Sequence, residues 1–462
     1  MVFSSLIFLV VFLPIVLGLY YLIPGRGKNV ILLLASIFFY AWGEPVYVVL
    51  MLFSCVFNYV CGLDLGNESG NKKLKLVFAV VVNLVVLGFF KYWGFLLETI
   101  NTIPFINIPY HELALPVGIS FYTFQAISYL VDVYRKDVEP NKNILDFSLY
   151  LSMFPQLVAG PIVKYHDIAE QLRDRVLTFA NIVTGSPQFL RGLVKKVLIA
   201  DTLGYCYTQI CGLGIENLAC VTAWVGIIAY TLQIYFDFSG YSDMAIGLGR
   251  MFGFEFQPNF NHPYISKSVT EFWRRWHMSL STWFRDYVYI PLGGNRVSAG
   301  RHIFNMLVVW TLTGFWHGAA WNFIAWGFYY GVILVFEKYV IGKYIEMLPS
   351  PLRVIITLFV AVIGWVFFSI DSLGDALVYI GTLFAFGAGG GIADGYSLFY
   401  FQSYIIPIIV GVIFSAPAPG RFIEKLRVTH HGVWIALYVV AFVLSMAYMV
   451  SSSYSPFLYF RF

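Results

Sequence analysis

The chain of 462 residues is 59% hydrophobic and 12% charged, with a formal net charge of +4. Soluble domains carry about 25% charged residues, so the composition excludes a single water-soluble domain, and the small charge indicates no nucleic-acid partner. Apolar runs near the roughly 20 residues that span a bilayer recur along the chain without the alternation of a β-barrel. We therefore expect an all-α polytopic membrane protein.

Twelve apolar runs are predicted to cross the membrane. The first, 2–23, lacks the basic start and small-residue cleavage site of a signal peptide, so we expect a retained helix. A further run, 147–163, is interrupted by two prolines and a glycine and is predicted to be re-entrant and surrounded by protein. The predicted crossings are 2–23, 29–43, 46–63, 76–97, 113–134, 187–210, 219–238, 303–316, 319–337, 350–369, 400–415 and 433–450.

The basic residues predict the orientation of these crossings. With the N-terminus outside, every Lys and Arg except Lys91 and Arg461 falls in a cytoplasmic loop or toward the cytoplasmic end of a crossing, as the positive-inside rule requires. An even number of crossings then places the C-terminus outside as well. The five cysteines lie in or near apolar runs without metal-ligand spacing, so we expect packing roles for them and no metal site.

The segment TEFWRRWHMSLSTWFRDYVYIPLGGNR (270–296) belongs to the longest polar region of the chain. At about 100° per residue it predicts one amphipathic helix on the cytoplasmic side, with His277 in its apolar arc. Two interpretations stay open. The helix is an interfacial anchor with a hydrogen-bonded structural histidine, or it borders a cavity where Arg274, Arg275 and Arg285 receive a phosphate-bearing donor.

The segment TGFWHGAAW (313–321) places His317 between two apolar runs, where glycines allow helices to approach closely. Counted from Arg301, His317 lies roughly 24 Å along a helix in a hydrocarbon core of about 30 Å. An ionisable residue at that depth is a functional candidate, and imidazole exchanges protons near neutral pH. The alternative is a polar clamp between helices, with Asn322 as the partner of His317.

Two acids in IYFDFSGYSDMAIG (234–247) leave a transporter or flippase open as a second class of function. Asp237 and Asp243 either line a cavity or cap a helix break at Gly240, and Asp237 with His317 suits a substrate or proton path. The two halves of the chain show no internal repeat, which weighs against a transporter.

Several segments together resemble one known family. They are FYAWGEP (39–45), FPQLVAGPIVKY (154–165), DFSGYSDMAIGLGRMFGF (237–254), FWRRWHMSLSTWFRDYVYIPLGGNR (272–296) and TGFWHGAAWNFIAWG (313–327). The resemblance is to the membrane-bound O-acyltransferase (MBOAT) family, in its bacterial alginate O-acetyltransferase-like branch. It implies one membrane domain over 1–462, with about 11–12 transmembrane helices around a central funnel that narrows to a tunnel. It also implies a multi-pass protein of the bacterial inner membrane.

The resemblance also implies the chemistry. His317 falls at the family's catalytic histidine and His277 at its second conserved polar position, which orients the thioester or stabilises the oxyanion. The expected donor is acetyl-CoA, with no permanently bound cofactor, and the acceptor is an extracellular or cell-wall polysaccharide, reached directly or through an SGNH-type partner acetyltransferase. A D-alanyl or other acyl transferase of the same family is the alternative.

The chain ends in SPFLYFRF (455–462), part of a predicted extracytoplasmic aromatic tail over 451–462. An interfacial aromatic belt explains the composition. The spacing F-x-Y-x-x-F resembles the terminal motif of a small companion protein in teichoic acid D-alanylation, whose tyrosine carries the acyl group. That resemblance predicts Tyr459 as an acyl carrier served by His317.

Overall fold

The structure is a computed structural model that describes residues 1–67, 69–111, 113–386, 389–451 and 457–458. In these ranges every regular element is a helix, and a helix covers most of each of the twelve predicted crossings. Among the described residues, seven helices are long and apolar enough to cross a membrane: Val48–Gly66, Lys72–Asn101, Cys220–Met251, Trp321–Glu346, Ser350–Ser369, Gly395–Ser415 and His431–Ser451. The predicted all-α polytopic class is confirmed.

The first of two compact units comprises Met1–Phe189 and Tyr241–Pro258. A π-helical stretch at Phe8–Phe12 leads into its first helix. In chain order the helices are α1 (Leu13–Leu22), α2 (Gly27–Gly43), α3 (Val48–Gly66), α4 (Lys72–Asn101), α5 (Ile119–Arg135), α6 (Ile144–Ser152), α7 (Phe154–Leu157), α8 (Tyr165–Arg173) and α9 (Phe179–Val194), the last of which continues into the second unit.

The run predicted to be re-entrant, 147–163, is broken and enclosed in this unit. Helix α6 ends at Ser152, the single turn α7 follows, and the chain is irregular up to Lys164. All residues from 149 to 165 are buried. The backbone N–H of Phe154 donates to Ser36 Oγ at 3.1 Å, which supplies one partner that the broken helix lacks. The predicted irregular backbone surrounded by protein is confirmed.

The second unit comprises Leu190–Gly240 and Asn259–Phe462, of which 457–458 are the last described residues. Its helices are α10 (Asp201–Cys211), α11 (Cys220–Met251), α12 (Val269–Arg275), α13 (Met278–Phe284), α14 (Ala299–His317), α15 (Trp321–Phe336), α16 (Gly342–Glu346), α17 (Ser350–Ser369), α18 (Leu373–Leu383), α19 (Gly395–Ser415), α20 (Pro417–Thr429) and α21 (His431–Ser451). Helix α11 runs unbroken through Gly240, so the helix break considered there is wrong.

Helices α14 and α15 pack with their backbones in direct contact. A Cβ atom on Gly314 would lie 2.2 Å from the Phe323 carbonyl oxygen, and one on Gly327 would lie 2.3 Å from the Trp310 carbonyl oxygen. Only glycine permits this separation, which is the close approach predicted from the small residues around the buried histidine. The pair fixes the end of α14, where His317 is the last helical residue.

Candidate active site

A cavity of about 700 Å³ lies within the second unit. Its lining comes from α12, α13, one side of α14 and the stretch from Leu334 to Arg353. His277 and His317, 40 residues apart in the chain, both line it. The fold therefore brings the two predicted histidines to one cavity.

His317 is buried in a cage of aromatic rings. Its ring is 4.9 Å from Trp316, 5.1 Å from Trp326 and 5.2 Å from Phe368 between centroids, and all three contacts are close to perpendicular. Such a cage fixes the imidazole and keeps bulk water from it. Asn322, the partner in the clamp interpretation, instead donates to carbonyl oxygens of the chain around residues 367–370.

The prediction of one continuous amphipathic helix in 270–296 is wrong, because the helix breaks at His277. Helix α12 ends at Arg275, α13 begins at Met278, and His277 adopts the left-handed conformation with φ 44° and ψ 56°. The backbone N–H of Met278 donates to the Asn259 carbonyl oxygen at 2.9 Å. The Asn259 carbonyl thus takes the place of the acceptor that the N–H of Met278 would have in a continuous helix. The break depends on this tertiary contact, which helical periodicity does not predict.

The Asn259 side chain sets the protonation of the His277 ring. Its Oδ1 atom accepts from the Ser279 backbone N–H at 3.2 Å and lies 3.0 Å from His277 Nδ1. Because an amide oxygen only accepts, Nδ1 carries the proton, and Nε2 of the neutral ring keeps its lone pair. Burial lowers the pKa of His277 to about 3. A neutral His277 therefore accepts hydrogen bonds through Nε2, which suits orienting a donor group better than stabilising an oxyanion.

The three predicted arginines divide into two groups. Arg274 and Arg285 line the cavity. Arg275 is not part of its lining, and its guanidinium forms an ion pair with Glu271 at 2.8 Å. Arg285 Nε also lies 2.7 Å from Asp286 Oδ1, so that part of its charge is already compensated.

Sequence reasoning missed three further cations of the cavity: Lys338, Lys343 and Arg353. Lys338 Nζ lies 3.4 Å from His302 Nε2, and His302 also lines the cavity. The lining also contains two acids, Glu337 and Glu346, which only partly offset these charges. Lys338 and Lys343 lie between two apolar runs and Arg353 lies in the first turn of α17, so in the sequence they resemble ordinary charges at the cytoplasmic ends of crossings.

The cavity follows one face of α14 from the cations to the aromatic cage. His302, Met306, Trp310, Thr313 and His317 line it at helical spacing. Along α14, the 15 residues from His302 to His317 span about 22 Å. These five residues of α14 form a stripe that leads to His317 from the cations of the lining, which we call the basic flank: Arg274, Arg285, Lys338, Lys343 and Arg353. The stripe was the signal in the sequence that could have linked the basic flank to His317.

Glu337 positions the helix that carries Arg274. Its carboxylate accepts from the backbone N–H groups of Val269 and Thr270, at 2.7 and 2.9 Å, at the start of α12. A buried carboxylate at a helix N-terminus satisfies donors that have no helical partner and complements the helix dipole. Glu337 is thus held by α12 rather than offered to a ligand.

The fold and the cavity define a polytopic helical membrane protein in which two buried histidines and a group of cations line one cavity. The family model described as MBOAT, membrane-bound O-acyltransferase family, matches residues 133–373. The chain belongs to the membrane-bound O-acyltransferase family and is an O-acyltransferase of the membrane, as the resemblance predicted. The matched range contains both histidines and the cavity-lining cations.

Curated relatives extend the match over most of the chain. The "Probable alginate O-acetylase AlgI" of Pseudomonas aeruginosa is 45% identical over 401 residues, which cover 84% of this chain and 75% of the relative. The "Peptidoglycan O-acetyltransferase" of Helicobacter pylori is 36% identical, with 82% and 78% covered. The "Teichoic acid D-alanyltransferase" of Bacillus subtilis is 29% identical, with 65% and 79% covered.

Proposed function

We propose that this enzyme transfers an acetyl group from a cytoplasmic thioester, acetyl-CoA, to a hydroxyl group of an extracytoplasmic polysaccharide. The observation that carries the proposal is the single cavity that joins a basic flank to the caged His317. The names of the alginate and peptidoglycan O-acetylating relatives favour acetyl as the acyl group and a glycan as the acceptor. We also propose the bacterial inner membrane as the location, with both termini extracytoplasmic.

The basic flank would hold the phosphates of the donor. Lys338, Lys343 and Arg353 at one end of the α14 stripe, with Arg274 and Arg285, offer charge-assisted donors to phosphate oxygens. The distance of about 22 Å along α14 leaves room for an extended chain between phosphates at this end and a thioester near His317. A permanently bound cofactor and a metal have no part in this proposal.

The transfer step uses His317 as the general base. Its imidazole takes the proton of the acceptor hydroxyl, the oxygen attacks the thioester carbonyl carbon, and the carbon–sulfur bond breaks. The imidazolium then returns the proton to the thiolate that leaves. His277 accepts a hydrogen bond through Nε2 and orients the reactants. The aromatic cage keeps out water that would hydrolyse the acyl group.

The acetyl group is proposed to reach the glycan by way of Tyr459, either directly or through an SGNH-type partner enzyme. Tyr459 lies outside the described residues, so its role rests on the terminal motif alone. A phenol with a pKa near 10 is a better leaving group than a sugar hydroxyl, which suits onward transfer.

The proposal is tested with labelled acetyl-CoA added to inverted membrane vesicles that contain the enzyme. We expect label in ester linkage to a hydroxyl on the luminal side, which corresponds to the cell exterior. Movement of a substrate without covalent transfer would instead support the transporter class, and label carried by D-alanine but never by acetyl would support the alternative acyl group.

Removing cations from the basic flank is expected to weaken donor binding. The double variant Lys343→Ala/Arg353→Ala should raise the KM for acetyl-CoA by about tenfold or more, with a smaller change in kcat, because the lost contacts bind the ground state and the transition state alike. Steady-state kinetics in proteoliposomes measure both constants. Arg275→Ala removes a cation outside the cavity lining and should leave KM unchanged; equal KM values in all three proteins would remove the flank from donor binding.

A carboxylate in place of the Asn259 amide is expected to make transfer sensitive to acid. In the native protein the pKa of His277 is about 3, so the ring stays neutral across the neutral range. Asn259→Asp places a negative charge beside Nδ1 and raises that pKa. Below the raised pKa, Nε2 carries a proton and no longer accepts a hydrogen bond, so the rate relative to the native enzyme should fall about tenfold between roughly pH 8 and pH 5.5.

The matched control for this substitution is Asn261→Asp, which makes the same change at an exposed position two residues along the chain. Its pH profile should follow that of the native enzyme. If Asn259→Asp gives the native profile at the native rate, the hydrogen bond from His277 to Asn259 has no part in transfer.

A further inference from the structure

The last described residues of the chain are held inside the second unit. The backbone N–H of Leu458 donates to Asp237 Oδ2 at 2.8 Å. Phe457 is 3% exposed, and its ring lies 6.1 Å from that of Phe238, the neighbour of Asp237 on α11. The buried Phe457 ring and the Leu458 hydrogen bond together mark a specific contact.

The acceptor of this bond is a buried carboxylate in an ion-pair cluster. Asp237 is 1% exposed, and its Oδ1 lies 2.6 Å from Lys196 Nζ. The same Nζ lies 2.7 Å from Asp201 Oδ1, so one cation serves two carboxylates. Lys196 occupies one side of Asp237, and the N–H of Leu458 supplies a donor to the other oxygen. A buried carboxylate is costly unless its oxygens are hydrogen-bonded, so the tail contact also stabilises the cluster.

We propose that Asp237, oriented by Lys196, is the docking site that anchors the C-terminal residues Phe457 and Leu458 near His277, which lines the cavity. The Phe238 ring is the link: its centroid lies 4.6 Å from that of His277 on one side, and it contacts Phe457 on the other. Docking Leu458 on Asp237 therefore holds Phe457 against the ring that packs on His277. Asp237 and Lys196 act as positioning residues and take no part in a bond-forming step.

The docking is independent of the chemistry, whereas its consequence for catalysis rests on the proposed function. If Tyr459 carries the acetyl group, loss of the anchor lowers transfer through the tail. If the tail has no chemical role, the anchor still holds Phe457 and Leu458, and activity is unaffected. An assay of docking separate from activity distinguishes the two.

The test places the photoreactive residue p-benzoylphenylalanine at position 457 in the full-length protein. Irradiation should cross-link it to the peptide containing residues 234–240, with the yield read by mass spectrometry. Leu458→Pro removes the donated N–H along with a side chain that packs against the core, and should lower this yield about tenfold, the ratio that corresponds to one hydrogen bond to a charged acceptor. Leu458→Ala keeps the N–H and should retain the yield.

A second pair of variants changes the acceptor. Asp237→Leu/Lys196→Met removes the acceptor together with the cation that compensates it, and should lower the yield as Leu458→Pro does. Asp201→Asn removes the other carboxylate of Lys196 and should leave the cross-link intact. A native yield in both Leu458→Pro and Asp237→Leu/Lys196→Met overturns the anchor, whatever their activity. A lost cross-link with native acetyl transfer supports the anchor and rejects the carrier role in the proposed function.

Discussion

Replacing His317 by alanine is expected to reduce acetyl transfer by roughly 10²–10⁴-fold, the usual contribution of a general base. In the proposed mechanism, the His317 side chain is the group that takes up the hydroxyl proton, and alanine has no basic atom to replace it. Transfer of labelled acetyl by the purified protein in liposomes measures the effect. Thermal unfolding of the same samples measures whether the helices remain folded.

Two further variants separate chemistry from packing. His317→Gln keeps a polar side chain of similar size without the basic nitrogen, and should lose transfer as alanine does while unfolding at the native temperature. His431→Ala removes an exposed histidine from α21 and should transfer at the native rate. Native activity in His317→Ala would exclude His317 from the mechanism. If His317→Ala is inactive and unfolds while His317→Gln stays folded and active, His317 has a packing role.

The apolar runs predicted the helices well because a membrane-spanning helix needs only length and hydrophobicity, which are local properties. His317 is proposed as a site residue from the same local signal, an ionisable group inside such a run. The break at His277 could not be predicted in this way. It depends on Asn259, 18 residues away, which accepts hydrogen bonds from backbone N–H groups that would otherwise bond within the helix. An amphipathic pattern records which face is buried and not whether the backbone stays continuous.

Charged residues show the same limit. Arg274 and Arg275 are neighbours with equal charge, yet Arg274 lines the cavity and Arg275 pairs with Glu271. Lys343 and Arg353 come from the region between α15 and α17 and meet the same cavity through tertiary packing. A single sequence predicts that such residues lie on the cytoplasmic side, but it does not predict which of them converge.

Asp237 shows why buried charges are hard to assign from the chain alone. Its position in α11 suggested a cavity, a helix cap or a proton path. Its partners are Lys196, 41 residues earlier, and Leu458, 221 residues later. Neither spacing follows a helical or motif pattern. The pairing with Lys196 and the tail removes the need for Asp237 in a transport path, which weakens the transporter class further.

Tyr459→Phe is expected to stop acetylation of the glycan while the protein stays folded and still binds acetyl-CoA. Phenylalanine keeps the ring that an aromatic belt requires and removes only the phenolic oxygen that would carry the acetyl group. Tyr459 follows Leu458, whose N–H is bound to Asp237 beside the wall that carries His277, and this supports access of the tail to the site. Labelled acetyl on the glycan gives the readout.

Tyr454→Phe deletes the same oxygen five residues earlier in the tail and should leave glycan acetylation unchanged. In the native protein without an acceptor, the C-terminal peptide should gain the mass of one acetyl group, and Tyr459→Phe should prevent that gain. Such an ester needs no further activation, because the phenolate leaves more readily than a sugar alkoxide when a glycan hydroxyl attacks the carbonyl carbon. If Tyr459→Phe acetylates the glycan at the native rate, the acetyl group passes from the thioester to its acceptor without a tyrosine carrier, and the tail serves only to hold Phe457 and Leu458 on Asp237.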